Sequence, residues 1–289
     1  MKARQLVILS GKGGTGKTSI SASLAGLARR AVLADCDVDA PDLHLILRPG
    51  VISRERFVSG YVASIDGGVC TRCGRCIQEC AFSAIDEGYS VDSVACEGCG
   101  VCELVCPVGA AKLSKSECGE WFVSGTRFGT MVHARLDPGR ENSGRLVSLV
   151  RSKAIEIAER ESSGIIVIDG PPGIGCPVIA SVSGCDMALV VTEPSMSGES
   201  DLLRALDMVS HFGAAAAVII NKWDINAKIA DRIEATCGDR GVPVVGRIPY
   251  DTAFTQAQIA GLSLLEYGEG AAVDGTRDAC TRALELIES

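Results

Sequence analysis

The sequence lacks several features that would assign it to common classes of protein. Among its 289 residues no apolar run approaches the ~20 consecutive residues that a membrane-spanning helix needs. No secretory signal precedes the first strand-like segment, so we expect a soluble, cytoplasmic protein. The 28 basic residues are outnumbered by 36 acidic ones, giving a net charge of −8 and an isoelectric point near 5.0. This balance disfavours nucleic acid and anionic membranes as partners.

Histidine is scarce, and so are basic residues near the C-terminus. The three histidines, His44, His133 and His211, show no spacing typical of metal ligands. The tail Asp278–Ser289 has Arg282 as its only basic residue, whereas a helix that lies on a membrane surface needs a basic polar face. Apolar residues make up 47% of the chain, so a sizeable core is expected.

Short apolar segments alternate with helical ones along most of the chain. Nearly continuous apolar segments are typical of parallel strands covered on both faces. The predicted strands are Gln5–Ser10, Ala31–Asp37, Gly164–Gly170, Met187–Glu193, Ala216–Lys222 and Val242–Pro249. The predicted helices are Lys17–Arg30, Arg145–Arg160, Ser200–Phe212 and Ile225–Cys237. The alternation predicts an α/β fold with a doubly wound, mostly parallel sheet.

A phosphate-binding loop follows the first predicted strand. Gly11-Lys12-Gly13-Gly14-Thr15-Gly16-Lys17-Thr18 matches G-x-x-x-x-G-K-S/T and leads directly into a predicted helix. Its backbone N–H groups and the helix N-terminus are expected to bind phosphate. We expect Lys17 to reach the β- and γ-phosphates and the Thr18 hydroxyl to bind Mg²⁺, with Ser19 as a further nucleotide contact. The loop therefore predicts a P-loop nucleoside triphosphatase.

Candidate site residues lie at the ends of four other predicted strands. Asp35 and Asp37 end the second strand, and Asp169 ends the third, just before Gly170-Pro171-Pro172-Gly173. Any one of these aspartates alone could cap a helix or a turn. Asn221-Lys222-Trp223-Asp224 ends the fifth strand and fits N-K-x-D, the guanine-reading motif of GTPases. Pro249 lies in the segment that ends the sixth strand.

The cysteines are numerous and unevenly distributed. Of fourteen, eight lie between Cys70 and Cys106, which in an intracellular chain indicates metal ligation rather than disulfides. Two repeats with C-x₂-C-x₂-C-x₃-C spacing begin at Cys70 and Cys96, 26 residues apart. This is the spacing of bacterial ferredoxins with two clusters. We therefore predict a ferredoxin-like α+β insertion at 66–113 in an ATPase domain formed by 1–65 and 114–289, with extended flanks at Arg54–Ile65 and Glu120–Leu136.

In the two-cluster pattern, the fourth cysteine of each repeat binds the cluster of the other repeat. The first 4Fe-4S cluster is then expected on Cys70, Cys73, Cys76 and Cys106. The second is expected on Cys96, Cys99, Cys102 and Cys80. Pro107 follows Cys106 as the pattern requires, but Ala81 replaces the proline expected after Cys80. Two zinc sites are the alternative, although zinc modules usually pair C-x₂-C units across longer gaps.

The extra lysine of the phosphate loop, Lys12, makes it resemble the deviant Walker A motif of the MinD/Mrp/ParA ATPases, a superfamily that includes the nitrogenase iron protein. The resemblance implies that Lys12 contacts phosphate across a dimer interface. It also implies that Asp37 positions the attacking water, that Asp35 supports the Mg²⁺ shell, and that Asp169 holds Mg²⁺ through water. These four roles describe an ATPase that works as a dimer.

The same resemblance extends to the base and to one further cysteine. It implies base contacts at Asn221, Lys222 and Pro249, and it favours ATP over GTP. Cys176 lies at the offset from Asp169 at which the nitrogenase iron protein has a cluster ligand, so it is a candidate for an interface metal or cluster. Cys118 is a distant candidate for a second ligand there, and a buried structural role for Cys176 is the alternative. Four other cysteines are expected in the core: Cys36, Cys185, Cys237 and Cys280.

Together these features predict an iron–sulfur protein that binds and hydrolyses ATP slowly. Its dimer, formed with itself or with a paralogous ATPase, would control electron transfer or delivery of a metal or Fe–S cluster to a redox or metal-cofactor protein. The alternative is a MinD- or ParA-like positioning ATPase in which the clusters are structural. The acidic composition and the C-terminal segment both argue against that alternative.

Overall fold

A computed structural model describes residues 2–28, 30–139 and 142–289. Met1, Arg29, Arg140 and Glu141 lie outside the described residues, although the sequence predictions place all four in the ATPase domain. None of the helices in these ranges combines the length and apolar composition that crossing a bilayer requires.

One mixed sheet contains the strands of the described ranges. The strands are β1 (Arg4–Ser10), β2 (Val32–Asp35), β3 (Gly50–Ile65), β4 (Ala111–Thr126), β5 (Gly129–Leu136), β6 (Ile165–Pro172), β7 (Met187–Thr192), β8 (Ala215–Asn221) and β9 (Val244–Ile248). Their order across the sheet is β3-β4-β5-β2-β6-β1-β7-β8-β9. The six predicted apolar strands are β1, β2, β6, β7, β8 and β9, and they pair in parallel. The doubly wound α/β prediction is therefore confirmed.

The helices connect these strands and follow them. They are α1 (Lys17–Leu27), α2 (Leu43–Leu47), α3 (Arg75–Gln78), α4 (Val101–Leu104), α5 (Ser143–Glu161), α6 (Cys176–Val182), α7 (Met196–His211), α8 (Ala227–Asp239), α9 (Ala253–Ala260), α10 (Leu264–Tyr267) and α11 (Ala271–Glu288). The four predicted helices correspond to α1, α5, α7 and α8.

Three predicted helices begin or end at other residues in the structure, and for two of them a capping side chain fixes where the helix begins. Helix α7 begins earlier than predicted because the Ser195 side chain accepts a hydrogen bond from the Gly198 N–H. Helix α8 begins later because a 3₁₀ turn, Trp223–Asn226, precedes it, and Asn226 then caps it. Helix α1 ends at Leu27, before the predicted end at Arg30.

The sequence prediction overlooked the long helix α11. Many of its buried residues are small, including Ala272, Thr276, Ala279, Cys280 and Ala283. Small side chains allow close packing against β9 and α1 but give a weaker apolar signal than leucine or isoleucine. Residues of α11 belong to the same buried cluster as Leu24 of α1 and Leu189 of β7, so this helix covers one face of the sheet.

The chain divides into two compact units. The larger, which we call the core unit, comprises Met1–Glu55, Trp121–Arg135 and Ser143–Ser289. The smaller, the cysteine unit, comprises Arg56–Glu120 and Leu136–Asn142. The cysteine unit extends beyond the insertion expected at 66–113, because the neighbouring strand ends contact the cysteine-rich segment. The Ala63 N–H, for example, lies 3.4 Å from the Sγ of Cys96.

Candidate functional site

The parallel strands of the core unit bring the predicted nucleotide residues to one edge of the sheet. The phosphate loop follows β1, and Asp35 ends β2. Asp35 is paired in register with Asp169 of β6, and Asn221 ends β8. Because parallel strands share the direction of their carboxyl ends, residues far apart in sequence meet at this edge, where open α/β sheets bind ligands.

The phosphate loop has a backbone that only glycine can adopt at one position. Gly16, the residue before α1, has φ of 94°. A Cβ atom there would lie 2.5 Å from Nδ2 of Asn221, so a side chain is excluded by space as well as by backbone angle. The Asn221 amide donates a 2.7 Å hydrogen bond to the carbonyl of Thr15, and Lys222 Nζ donates a 2.9 Å bond to the carbonyl of Gly14. Asn221 and Lys222 therefore brace the phosphate loop.

Lys17 begins α1 and is buried among carboxylates. Its Nζ lies 2.9 Å from Oδ1 of Asp169 and 3.9 Å from Oδ2 of Asp37. Ser21 Oγ donates a 2.7 Å hydrogen bond to the same oxygen of Asp169. Burial by itself lowers the pKa of Lys17, but the hydrogen bond and attraction to Asp169, together with attraction to Asp37 and Asp35, outweigh it and raise the pKa above its usual value. Lys17 therefore stays charged.

The carboxylates around Lys17 carry unsatisfied oxygens. Asp35 is fully buried, and burial together with the charge of Asp169 raises its pKa well above the usual range. Burial likewise raises the pKa of Asp37 to about 6. Among the described residues, Asp35 Oδ2, Asp169 Oδ2 and Thr15 Oγ1 are buried without a hydrogen-bond partner. Each such atom costs about 1–3 kcal/mol, so the site is suited to a ligand that supplies partners.

This arrangement fits Mg²⁺ bound with a nucleotide. Oxygen atoms are the ligands that Mg²⁺ prefers, and it binds through a few carboxylates together with phosphate and water. Three carboxyl groups, from Asp35, Asp37 and Asp169, share one lysine, and the raised pKa values of Asp35 and Asp37 are expected where a second cation is missing. The predicted ligand Thr18 is the second residue of α1, next to Lys17.

Ser19, a predicted nucleotide contact, and Asp224, the last residue of N-K-x-D, are both engaged within the protein. The Ser19 side chain is buried, and its Oγ accepts a 2.9 Å hydrogen bond from Gln258 of α9. Asp224, the last residue of N-K-x-D, accepts a 2.7 Å hydrogen bond from the backbone N–H of Tyr250. Pro249 lies directly before Tyr250 at the end of β9. Asp224 thus connects the loop after β8 to the loop after β9.

Lys12 has a partner that the sequence analysis did not identify. Its Nζ lies 2.5 Å from Oε1 of Glu193, which follows β7. The other carboxylate oxygen of Glu193 lies 3.5 Å from Nζ of Lys222. Glu193 lies at the end of a predicted strand, as Asp35 and Asp169 do, and this position could have identified it as a residue of the site.

In the cysteine unit, each predicted set of four cysteines lines a cavity of its own. Cys70, Cys73, Cys76 and Cys106 line one cavity together with Arg75 and Tyr89. Cys80, Cys96, Cys99 and Cys102 line a second cavity together with Phe82 and Leu113. The fourth cysteine of each repeat thus lies at the cavity of the other repeat.

The two repeats adopt nearly the same local structure. Helices α3 and α4 are 26 residues apart, and each follows a glycine with positive φ, Gly74 or Gly100. The Ala84 N–H lies 3.4 Å from the Sγ of Cys80, and the Ala110 N–H lies 3.1 Å from the Sγ of Cys106. Hydrogen bonds from Ala111 and nearby backbone N–H groups lower the pKa of the Cys106 thiol, which favours the thiolate that binds metal.

The thiols of each set surround a cavity rather than a common point. Over the described ranges, no three histidine, cysteine, aspartate or glutamate side chains are close enough together to hold a single metal ion.

The six cysteines outside the two predicted sets differ in their exposure to solvent. Cys176 is exposed and is the first residue of α6. Cys118 is buried, and its Sγ donates a 2.9 Å hydrogen bond to the carbonyl of Ser59, so this thiol is engaged. The four cysteines expected in the core are buried: Cys36, Cys185, Cys237 and Cys280.

The fold and the phosphate loop define a P-loop nucleotide-binding protein. The family model of the CobQ/CobB/MinD/ParA nucleotide binding domain matches residues 6–264. The chain therefore belongs to this family, whose MinD/ParA members are nucleotide-binding ATPases. The uncharacterized protein MJ0578 of Methanocaldococcus jannaschii is 34% identical over 225 residues, which cover 77% of this chain and 79% of that protein.

Two further comparisons concern the fold and one short segment. The septum site-determining protein MinD of Pyrococcus horikoshii, solved with Mg-ADP, superposes with a TM-score of 0.60 at 17% identity over 98% of this chain and 97% of that one. A 53-residue segment, 18% of this chain, is 36% identical to pyruvate synthase subunit PorD of Methanothermobacter marburgensis and covers 65% of it. The first likeness establishes a MinD-like fold.

Proposed function

We propose that this chain is an ATP-hydrolysing iron–sulfur protein whose nucleotide-dependent dimer controls electron transfer or cluster delivery to a partner protein. The observation that carries the proposal is the sorting of eight cysteines into two cavities. Each cavity holds three cysteines of one repeat and the fourth of the other, as two-cluster ferredoxins require. The similarity of a 53-residue segment to a pyruvate synthase subunit gives a weaker, separate hint.

The residues present fit two 4Fe-4S clusters. Four thiols per cavity supply the ligand number, and backbone N–H groups near Cys80, Cys96 and Cys106 can donate to thiolate sulfur. Cys70, Cys73, Cys76 and Cys106 would hold one cluster, and Cys80, Cys96, Cys99 and Cys102 the other. When bound, such clusters supply one-electron redox chemistry.

In the core unit, the residues of the nucleotide site bind and orient the triphosphate. Lys17, now paired with Asp169, would exchange this carboxylate for the β- and γ-phosphates, which releases Asp169 toward Mg²⁺. The unpaired oxygen of Asp35 would support the Mg²⁺ shell. Asp37 is half-buried beside Lys17, and its proposed role is to orient the attacking water. Hydrolysis then depends on positioning and electrostatics rather than on a covalent intermediate.

Adenine is the proposed base, despite the N-K-x-D sequence. In GTPases the aspartate of this motif pairs with the guanine ring, whereas here Asp224 accepts a hydrogen bond from the N–H of Tyr250. Asn221 and Lys222 bond to carbonyls of the phosphate loop. A GTP-binding protein is the alternative, and parallel titrations with both nucleotides decide between them.

A positioning ATPase with structural clusters is the second candidate function. The MinD-like fold favours it. The two candidates differ in one measurable property, which is whether nucleotide changes the reduction potential of the clusters. If ATP and the clusters share one conformational equilibrium, their effects on one another are reciprocal.

The test begins with anaerobic purification and reconstitution. The proposal predicts about eight iron atoms per chain and a matching amount of acid-labile sulfide. Redox titration by EPR without nucleotide, with Mg·ADP and with a non-hydrolysable ATP analogue should then give different potentials. Stoichiometric zinc without sulfide would refute the clusters, and three identical potentials would favour the positioning ATPase.

Cys176 is included in the proposal as a possible ligand between two copies of the chain, because its thiol is exposed at the start of α6. Cys176→Ser should leave the iron content at about eight per chain. If the thiol binds a bridging metal or cluster, this variant should also weaken the effect of nucleotide on the cluster potential.

A further inference from the structure

The carboxylate of Glu193 lies between the two lysines that flank the phosphate loop. One oxygen is 2.5 Å from Lys12 Nζ, within the loop, and the other is 3.5 Å from Lys222 Nζ. Lys222 in turn donates to the carbonyl of Gly14. Glu193 is thus the centre of a charged network that contacts the loop at two points.

Without Glu193, the position of Lys12 would be electrostatically unfavourable. Lys12 Nζ lies 3.4 Å from Oγ of Ser197, in the first turn of α7. The N-terminus of a helix carries partial positive charge, which repels a cation. The negative charge of Glu193 offsets this repulsion between Lys12 and the N-terminus of α7. The Glu193 side chain is only one-fifth exposed, so its contact with Lys12 is partly shielded from water. Although burial raises the pKa of Glu193, hydrogen bonding and charge attraction from Lys12 and Lys222 together outweigh it and lower the pKa below its usual value.

We infer that Glu193 is a positioning residue that holds Lys12 against its own chain until ATP is bound in a dimer. This inference rests on the proposed function, in which Lys12 contacts phosphate across the dimer interface. The γ-phosphate and Glu193 then compete for one ammonium group. Glu193 consequently sets the ATP concentration at which the dimer forms, and it limits dimerisation without nucleotide.

The first test measures the Lys12 amine directly in nucleotide-free protein. Limiting acetic anhydride and mass spectrometry give the acetylation rate of each lysine, because an ion-paired amine reacts more slowly than a free one. Glu193→Gln should raise the rate at Lys12 several-fold and leave Lys153 unchanged, since Lys153 pairs with Glu156. Glu199→Gln is the matched control, because Glu199 lies six residues further along the chain, in the first turn of α7, but pairs with Arg232.

The second test measures dimerisation against the concentration of a non-hydrolysable ATP analogue by light scattering. Glu193→Gln should lower the half-maximal concentration about fivefold, which corresponds to about 1 kcal/mol for a partly exposed ion pair. Glu193→Asp keeps the charge one methylene shorter and should fall between parent and Glu193→Gln, which guards against loss of folding in one variant.

The outcomes separate the inference from the proposed function. Unchanged acetylation of Lys12 in Glu193→Gln would overturn the inference. If the parent dimerises with the ATP analogue, the same half-maximal analogue concentration for Glu193→Gln and the parent would also overturn it. A parent that binds nucleotide without dimerising would instead overturn the proposed dimer, while the acetylation rates would still decide whether Glu193 holds Lys12.

Discussion

Crossed ligation of the two clusters predicts opposite results for two double variants. Cys70→Ala/Cys106→Ala removes two residues that are far apart in sequence but line the same cavity. Cys70→Ala/Cys80→Ala removes two residues of one repeat that line different cavities. Each double variant loses two thiols, so composition alone does not distinguish them.

The expected magnitudes follow from which cavity each thiol lines. A 4Fe-4S cluster holds four irons, so the parent should contain about eight per chain. Cys70→Ala/Cys106→Ala removes two of the four thiols of one cavity and should leave about four irons per chain. Cys70→Ala/Cys80→Ala removes one thiol from each cavity and should leave close to none. The Cys118→Ala control should keep all eight, because Cys118 is buried and bonds to Ser59. Iron, acid-labile sulfide and EPR spectra of the reduced proteins give the measurement.

The reverse order would refute the crossed assignment. If each repeat supplied all four ligands of its own cluster, Cys70→Ala/Cys80→Ala would retain about four irons and Cys70→Ala/Cys106→Ala would lose nearly all. Equal retention by both would show that one missing thiol does not release a cluster, and it would refute the stated dependence on a full ligand set.

Three further predictions concern the core unit. Lys17→Ala should abolish ATP binding because it removes the buried cation of the phosphate site, whereas Asp37→Ala should bind ATP but hydrolyse it slowly; nucleotide titration and phosphate release test both. Asp224→Ala should weaken ATP binding a few-fold, because it frees the loop after β9. Binding of GTP to the parent at least tenfold more tightly than ATP, a difference of about 1.4 kcal/mol in binding free energy, would contradict an adenine site. Burial raises the pKa of Glu266, but hydrogen bonds from Arg127 and Ser263 together outweigh it and lower the pKa to about 2. The stability from these contacts is therefore present above about pH 4.3 and is lost as the pH falls toward 2. Glu266→Gln should cost about 1 kcal/mol in urea unfolding at pH 7 and little at pH 2, and equal losses at both would contradict the assignment.

Much of the fold could be predicted from local sequence patterns. Continuous apolar segments identified the parallel strands, since strands covered on both faces need apolar residues at every position. Helix α11 was missed because its buried face consists largely of small residues such as Ala279 and Cys280. The start of α7 was missed because the capping bond of Ser195 depends on backbone geometry as well as on residue type.

The phosphate loop and the grouping of cysteines could be recognised in the sequence, because each depends on spacing within a few residues. Gly11–Thr18 and the two cysteine repeats can be identified without knowing the neighbours of either segment. The partners of these groups depend on how distant parts of the chain pack together. Lys12 and Glu193 are 181 residues apart, and they meet because β1 and β7 are neighbours in the sheet. The role of Asp224 likewise depends on the pairing of β8 with β9, which brings Tyr250 to it.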